Sequence, residues 1–389
     1  MLISTAKFEL NKKNTDYKSI AYFNGLNALR FFAALLVLLH HNAVIRPKYG
    51  IGEGFGWLGI FRDGGYAVSF FFVLSGFLIT YILLKEKDKT QTISIKRFYL
   101  KRILRIWPLY YLLIILGSII IPFLISYFDI DYQIPYTFHE TWYYFIFFLP
   151  GLVTFYYGHH ILEPLWSIGV EEIFYLLWAP LFKFIKKHIL LLILSIIIIK
   201  IILSIISFYW DDNSIETYLV NTYKFEAMSI GGIGAYMVFY KGNIILNNII
   251  FKRYFQIPIL SIILVFLLFN VNIKLKFWKA IFFTPIVSNY ILYLLYVYLI
   301  ICISLVDKSI IKLRWKGFKF LGDISYGIYM YHMPISFMVI FSFKKYLLRM
   351  GMISNFIIYY ALVIGGTILI SLISKLFFEN YFLKLKDSI

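Results

Sequence analysis

The sequence predicts an all-α, polytopic integral membrane protein with about ten transmembrane helices and both termini in the cytoplasm. Hydrophobic residues make up 61% of the 389 residues, and the mean hydropathy is +0.78, whereas soluble domains are typically ~45–50% apolar. Only 15% of the residues are charged, which argues against a soluble enzyme and against an intrinsically disordered chain. Aromatic residues reach 21%, a share typical of lipid-facing surfaces and interfacial belts.

The net charge of +18 fits the same interpretation. The chain has 38 Lys and Arg residues against 20 Asp and Glu residues. In a soluble protein this excess would suggest nucleic-acid binding, but in membrane proteins basic residues collect in cytoplasmic loops. We therefore expect the lipid bilayer, and no nucleic acid, as a partner. The single cysteine, Cys302, lies in an apolar run and is interpreted as a packing residue.

Ten hydrophobic runs follow one another along the chain, each close to the ~20 residues that a transmembrane helix needs. The predicted spans are Leu26–Ile45, Tyr66–Leu84, Ile103–Phe128, Leu165–Phe182, Ile189–Tyr209, Phe225–Tyr240, Tyr254–Val271, Phe283–Val306, Ile324–Phe343 and Asn355–Phe378. We expect a cytoplasmic N-terminal segment over residues 1–25, without a cleavable signal peptide. A single transmembrane domain follows over 26–378, and a cytoplasmic tail over 379–389.

An aromatic stretch, Trp142–Tyr157, leaves the topology ambiguous, and the distribution of charge decides it. Pro150 and Gly151 interrupt this stretch. If it does not cross the bilayer, the basic segment 183–187 lies in the cytoplasm and the acidic segment 211–216 lies outside, as the positive-inside rule requires. We therefore predict a re-entrant segment or one that lies at the outer interface.

The first span carries ionisable residues, which are costly in a membrane and are functional candidates. Arg30 and His41 are eleven residues apart, so on a helix they lie within about 20° of one face and about 16 Å apart. They cannot touch, but both can line one channel. His40 points about 100° away. His41 is either functional or a hydrogen-bonded packing residue.

Arg102 and Arg105 lie on one face of the third span at its cytoplasmic entry. Guanidinium groups bind phosphates through paired hydrogen bonds, and Lys101 adds a further charge. The pair is either an anion site or an ordinary cytoplasmic cluster of basic residues.

Glu171 and Glu172 stand about two turns into an otherwise apolar span. Two adjacent carboxylates in lipid are difficult to explain by packing. Tyr175, one turn beyond Glu171, is placed to form a hydrogen bond with it. Glu171 is either functional or the buried partner of an arginine.

A late span places Tyr326, Tyr329 and His332 at successive spacings of three, along one slanted stripe. Histidine titrates near neutral pH, so His332 and His41 together with a carboxylate could form a proton-transfer set. The alternative is that His332 makes a structural contact between helices through a tyrosine.

Other constellations are weaker. His159, His160 and Glu163 have a spacing that could suit a metal ion, but no further ligand is near in the sequence, so we expect no metal. Ser75 has no neighbouring base in the sequence. No glycine-rich phosphate loop or nucleophile elbow is present.

Five blocks, in order, resemble one family. They are Arg30 to His41, FFFVLSGFLIT (70–80), Arg102 and Arg105 with Trp107–Pro108, WSIGVEEIFYLLW (166–178) and ISYGIYMYHMPI (324–335). Over nearly its whole length the chain resembles the membrane acyltransferase family 3, the O-acetyltransferases of bacterial cell-surface glycans. The family pattern selects His41 over His40 and Glu171 over Glu172. Asn27, Ala28 and Ser69 depart from it, so we expect no carboxylate role near the entry of the first span.

The resemblance implies a multi-pass protein of the bacterial inner membrane that transfers an acetyl group. The donor would be cytoplasmic acetyl-CoA, and no metal is implied. The acceptor would be a hydroxyl of a cell-surface glycan such as O-antigen, capsule or exopolysaccharide, or of its lipid-linked precursor. Some relatives carry a fused extracellular domain, so this chain is expected to work without one or with a separate extracytoplasmic partner.

The resemblance also implies roles for individual residues. Arg102 and Arg105, with Lys101 and Trp166, would bind the donor. His41 would act as a general base or accept the acetyl group as an acyl-imidazole. The remaining catalytic candidates are Glu171, to orient or stabilise an imidazole, Arg30, to neutralise the donor phosphate or thioester oxygen, and His332, to relay a proton.

One function of another class competes with this interpretation. A transporter of glycans or lipid-linked sugars, or a polymerase without acyl chemistry, would also use intramembrane His, Glu and Arg residues. Large outer loops or inverted repeats would favour that alternative, and the sequence shows neither. The two interpretations differ in whether an acyl group is transferred. A third alternative, a receptor-like structural membrane protein, leaves Arg30, His41 and Glu171 unexplained.

Overall fold

The computed structural model describes residues 16–52, 54–55, 58–62, 64–185, 187–207, 209–269 and 285–389, and the regular elements in these ranges are all helices. The first nine helices are α1 (Leu26–Lys48), α2 (Gly59–Arg62), α3 (Gly64–Thr90), α4 (Ile95–Ile115), α5 (Ile121–Tyr127), α6 (Phe138–Ile146), α7 (Pro150–Tyr157), α8 (Leu165–Phe184) and α9 (Ile189–Ser207). The others are α10 (Ile215–Thr222), α11 (Phe225–Leu246), α12 (Arg253–Phe269), α13 (Pro285–Leu305), α14 (Lys316–Asp323), α15 (Ser325–Leu347), α16 (Met352–Ser374) and α17 (Asn380–Asp387). Two π-helical turns, Leu116–Ile120 and Lys375–Glu379, join α4 to α5 and α16 to α17.

The all-α membrane class is confirmed, and each of the ten predicted spans coincides with a helix. Within the described residues, seven helices are long and apolar enough to cross a membrane, or eight if α14 and α15 count as one bent span. The helices of the sixth and seventh predicted spans, α11 and α12, do not meet that criterion, so the count of ten stays a prediction. The end of the seventh predicted span and the start of the eighth fall on 270–284, outside the described residues.

The aromatic stretch Trp142–Tyr157 forms two short helices, α6 and α7, instead of one span. They have nine and eight residues, so at 1.5 Å per residue neither exceeds about 14 Å, against a hydrocarbon core of about 30 Å. The chain turns between them at Phe148, whose φ is +59°. This arrangement agrees with the predicted re-entrant or interfacial segment.

Helix α3 lies at the centre of the bundle. Its apolar segment is 83% buried inside the protein, whereas that of α9 is 17% buried and faces outward. Glycines allow α3 and α11 to pack backbone against backbone, since a Cβ on Gly76 or Gly231 would collide with the carbonyl of Met228 or Val73. Small residues at such crossings are typical of membrane helix packing.

The chain bends by 60° between α14 and α15, and this bend brings α15 alongside α1. At the bend, Gly322 packs against the backbone carbonyl of Asn27, and the Asn27 amide donates a hydrogen bond to Asp323 over 2.7 Å. The side chains of α1 and α15 therefore meet along the length of the two helices, where the sequence places both histidine candidates.

Candidate active site

A cavity of about 470 Å³ lies between α1, α3, α4, α8 and the bend before α15, within the ~300–1,000 Å³ range of ligand sites. Four predicted functional residues line it: Arg30, Arg102, Arg105 and Glu171. They come from three different helices, so the fold brings together residues that are far apart in the sequence. We call this space the donor-side cavity.

The three arginines of the donor-side cavity make no ion pair within 4.0 Å in the described part of the chain. Arg30 donates to the side chain of Asn27 over 3.0 Å, and Arg102 lies 5.9 Å from the ring of Phe98. The Nε atom of Arg102 is buried without a hydrogen-bond partner. Their charge is therefore available to an anion.

A chain of hydrogen bonds holds the Glu171 carboxylate at the wall of the donor-side cavity. The Tyr175 hydroxyl donates to Glu171 Oε2 over 2.7 Å, as the spacing of four residues predicts, and it also contacts Ser75 Oγ. Because the tyrosine proton goes to the carboxylate, the Ser75 hydroxyl is the donor in the second contact. Ser75 and Tyr175 also line the cavity.

Glu172 faces a different way from its neighbour. Its Oε2 accepts a hydrogen bond from Trp107 Nε1 over 2.8 Å, which joins α8 to α4. Glu172 does not line the donor-side cavity, whereas Glu171 does. The geometry therefore agrees with the choice of Glu171 over Glu172.

The two histidine candidates contact each other. His41 Nδ1 lies 2.9 Å from His332 Nε2, and the two rings stack with centroids 5.0 Å apart. His332 Nδ1 lies 2.6 Å from the backbone carbonyl of Tyr329, which can only accept, so that nitrogen carries the proton. The neutral His332 then accepts from His41 Nδ1–H, and the lone pair of His41 is left on Nε2.

This pairing bears on one predicted role. Glu171 was expected to orient or stabilise an imidazole, and that role stays a prediction, while the ring that stacks on His41 in the structure is that of His332. Neither histidine lines the donor-side cavity. His41 lies eleven residues along α1 from Arg30, or about 16 Å. Tyr329 connects the two regions, because it lines the cavity and its ring lies 5.8 Å from that of His332.

Residues 23–375 match the acyltransferase domain family. This chain belongs to that family. It is 28% identical over 355 residues to peptidoglycan O-acetyltransferase OatA of Listeria monocytogenes, a match that covers 83% of this chain and 51% of the relative. It is 25% identical over 335 residues to YrhL of Bacillus subtilis, with coverage of 81% and 48%. O-acetyltransferase OatA of Staphylococcus aureus is 29% identical over 232 residues, with coverage of 56% and 35%.

The chain thus spans about half the length, or less, of these curated relatives. No solved structure matches it. Family membership and the apolar helices together make it a multi-pass protein of the bacterial inner membrane.

In this member of the acyltransferase family, a buried arginine anchors the C-terminal end of α1, five residues beyond His41. Arg46 is 2% exposed, donates to Asn355 Oδ1 over 2.7 Å and lies within 5.5 Å of the ring centroids of Phe356, Tyr359 and Tyr360. Cation–π contacts of this kind strengthen when they are desolvated. Arg46 therefore ties the segment that carries His41 to α16.

Two predicted donor-binding residues lie outside the cavity wall. Lys101 is not among the lining residues although its neighbour Arg102 is. Trp166 packs with the edge of its ring against Phe72, with centroids 5.9 Å apart, and Phe72 is the residue that lines the cavity. Trp166 thus supports the wall from behind, and its donor-binding role stays a prediction.

The segment that was predicted as the tail, 379–389, contributes to the cavity. Glu379 and Lys386 of this segment line it, as does Lys375 near the end of the tenth predicted span, and Lys375 forms an ion pair with Glu379 over 3.8 Å. The sequence offered only one signal for this role, the basic residues that follow the last span. Helix α17 packs against α4, so the C-terminal segment folds back against the helix bundle.

The histidines near α8 have separate partners. His159 pairs with Glu163 over 2.8 Å, and this contact raises the pKa of the exposed imidazole. His160 is enclosed next to Tyr136, and burial lowers its pKa to about 3. Within the described residues, no three His, Cys, Asp or Glu side chains are grouped as metal ligands.

Proposed function

We propose that this chain is a membrane O-acetyltransferase that moves an acetyl group from cytoplasmic acetyl-CoA to a hydroxyl of a cell-surface glycan. One observation carries the proposal. Three arginines that make no ion pair with the described residues converge on the donor-side cavity, which Lys375 and Lys386 also line, while a pair of histidines lies on α1 and α15. For this reaction the protein must supply a binding site for the anionic donor and a base that accepts the proton of the acceptor hydroxyl.

Arg102 and Arg105 would bind the phosphates of coenzyme A, because guanidinium groups form paired, charge-assisted hydrogen bonds with phosphate. Lys375 and Lys386 add positive charge to the cavity lining. Arg30 lies on α1, the helix that carries His41, and would lie near the thioester end of the donor. The flexible arm of the coenzyme would then extend past Tyr329 towards His41.

The histidine pair supplies the proton transfer. In the direct route, His41 Nε2 accepts the proton of the acceptor hydroxyl while the hydroxyl oxygen attacks the thioester carbonyl. The new C–O bond forms, the C–S bond breaks, and the proton passes to the coenzyme A thiolate. In the covalent route, Nε2 attacks the carbonyl first, and the C–S bond breaks to release the coenzyme A thiolate. The acceptor hydroxyl then attacks the acyl-imidazole and displaces the imidazole, and the hydroxyl proton passes by way of Nε2 to the thiolate. Both routes yield coenzyme A and an acetyl ester.

The names of the relatives make peptidoglycan the first acceptor to test. Purified protein in nanodiscs would be incubated with radiolabelled acetyl-CoA and a peptidoglycan extract. We expect label on the glycan with the wild type, and a loss of about 10²- to 10⁴-fold with His41→Ala, the usual contribution of general acid–base catalysis. Binding and export of the glycan without acetyl transfer would favour the transporter alternative instead.

The donor site needs a separate test. The double variant Arg102→Ala/Arg105→Ala should raise the KM for acetyl-CoA by about 10- to 100-fold, the value of one lost charge-assisted hydrogen bond. Lys96→Ala/Arg97→Ala is the matched control, because it removes two positive charges from exposed positions of the same helix that lie outside the cavity wall. An equal change in KM in both variants would contradict the assignment of the arginines.

A further inference from the structure

A second cavity, of about 230 Å³, lies between α9, α10, α11 and α13, and we call it the outer pocket. It shares no lining residue with the donor-side cavity. Asp212 and Asn221 are exposed at its rim, whereas Ser207, Thr217 and Glu226 are buried at its floor. The positive-inside rule assigns this end of the bundle to the outer face.

One group in the wall of the outer pocket, the hydroxyl of Tyr290, is buried without a hydrogen-bond partner in the described structure. Oε2 of Glu226, a residue that is 8% exposed, also makes no hydrogen bond there, but it forms an ion pair with Lys200 over 3.6 Å. Buried polar atoms are normally paired, so the Tyr290 hydroxyl indicates a polar ligand or water in the pocket.

The charges of the outer pocket are balanced, which favours a neutral ligand. Lys224 is the basic lining residue and Asp212 and Glu226 are the acidic ones, with Lys200 held behind Glu226. The rest of the wall is mainly amide and hydroxyl side chains, from Ser204, Ser207, Thr217, Asn221, Asn289 and Tyr290. Such groups both donate and accept hydrogen bonds, as do the hydroxyl and acetamido groups of sugars.

The outer pocket and the histidine pair face different sides of α3. Lys224, in the pocket, donates to Ser69 of α3 over 3.3 Å, while His40, next to His41, packs against Gly64 of α3. Positions 64 and 69 lie about 140° apart around a helix that is about 10–12 Å across. A sugar in the outer pocket therefore cannot present its hydroxyl to His41, but another unit of the same chain can.

We propose that the outer pocket is a subsite for a neutral sugar of the acceptor glycan, distant from the sugar that receives the acetyl group. The inference rests on the proposed acetyltransferase function and adds a determinant of acceptor length to it. Long acceptors would occupy both the reaction centre and the outer pocket, whereas a single sugar would occupy the reaction centre alone.

The test compares acceptors of two lengths, N-acetylglucosamine and its β-1,4-linked tetramer. The variant Asn289→Ala/Tyr290→Phe removes one amide and one hydroxyl from the pocket wall. The matched control, Tyr209→Phe/Asn213→Ala, removes the same groups from nearby exposed positions outside the pocket. We expect kcat/KM for the tetramer to fall about tenfold in the pocket variant, the effect of losing one hydrogen bond, with the monomer and the KM for acetyl-CoA unchanged.

Equal values for the pocket variant and the control with the tetramer would overturn the proposal, and so would an equal loss with both acceptors. Equilibrium dialysis of the labelled tetramer against each variant gives a readout that does not depend on catalysis. If the wild type transfers no acetyl group, the proposed function fails, whereas weaker tetramer binding in the pocket variant alone would still support the subsite.

Discussion

His41 and His332 depend on each other for their proton positions. The carbonyl of Tyr329 fixes the proton of His332 on Nδ1, and His332 in turn fixes that of His41, so His41 Nε2 keeps its lone pair. This orientation of a base by a second group follows the same logic as the catalytic triads of hydrolases. Under the proposed function, His332 is a positioning residue.

Two substitutions at His332 test this role. His332→Phe removes the acceptor for His41 Nδ1–H, and we expect kcat to fall by about 10²-fold or more, with the KM for acetyl-CoA unchanged. His332→Gln keeps an acceptor oxygen near the position of Nε2 and should recover part of the rate. Steady-state kinetics over a range of pH would measure both. A purely structural role would instead lower the rate equally in both variants, together with thermal stability.

Among individual residues, the sequence pointed to the charged side chains that are costly in a membrane. It did not point to uncharged site residues such as Ser75. Arg30, Arg102, Arg105 and Glu171 are conspicuous in apolar spans, and all four line the donor-side cavity. Ser75 is unremarkable in sequence, because its hydrogen-bond partner Tyr175 lies 100 residues away on another helix. Contacts between helices follow from packing, which periodicity alone does not specify.

At the scale of elements, the crossing of α3 and α11 sets the position of the cavity wall. Ser75 lies next to Gly76, and Gly76 is the residue that lets the backbone of α11 approach at Met228. A side chain at position 76 would push α11 away from the centre of the bundle. The close approach therefore places Ser75 as well as packing the two helices.

Gly76→Ala should lower the stability of the protein by about 1–3 kcal/mol, because its Cβ would meet backbone that cannot move easily. Gly365→Ala on α16 is the matched control, since a Cβ there meets nothing within 4 Å. That change should be neutral or stabilise the helix by up to about 1 kcal/mol. Thermal unfolding of both variants in one detergent measures the difference, and equal midpoints would contradict a tight crossing.

Helix boundaries were predictable where hydrophobic length decides them, and less so where the chain changes direction. The stretch Trp142–Tyr157 was predicted not to cross from Pro150, Gly151 and the charges of later loops, and it forms two short helices, α6 and α7. Residues 379–389 were predicted only as a tail. Their packing as α17 against α4 is a tertiary contact that composition does not reveal.

At the scale of the whole molecule, the bundle has two chemically different ends. The lining of the donor-side cavity includes Arg105, Lys375 and Lys386, at the predicted cytoplasmic end. The histidine pair lies about 16 Å along α1 from Arg30, and the outer pocket lies at the opposite end. Under the proposed function, donor and acceptor reach the reaction centre from opposite sides of the membrane.

This two-sided arrangement predicts which face accepts the donor. In sealed inside-out vesicles, added acetyl-CoA should support transfer, whereas in sealed right-side-out vesicles it should support none until detergent opens them. Orientation can be measured on the same protein, because Cys302 is its single cysteine and is buried. In a Cys302→Ser background, Asn213→Cys and Thr92→Cys place reporters at exposed positions of the predicted outer and inner faces.

A membrane-impermeant maleimide should label position 213 in right-side-out vesicles and position 92 in inside-out vesicles. The labelling tests the topology, and the transfer assay tests the proposed function independently of it. Labelling on the wrong faces would overturn the positive-inside assignment, whatever the activity. Suppose that labelling is correct but acetyl-CoA outside sealed right-side-out vesicles supports full transfer. The donor then does not enter the donor-side cavity from the cytoplasmic side. The arginines of the donor-side cavity would then need another anionic ligand to explain their charge, because they make no ion pair with the described residues.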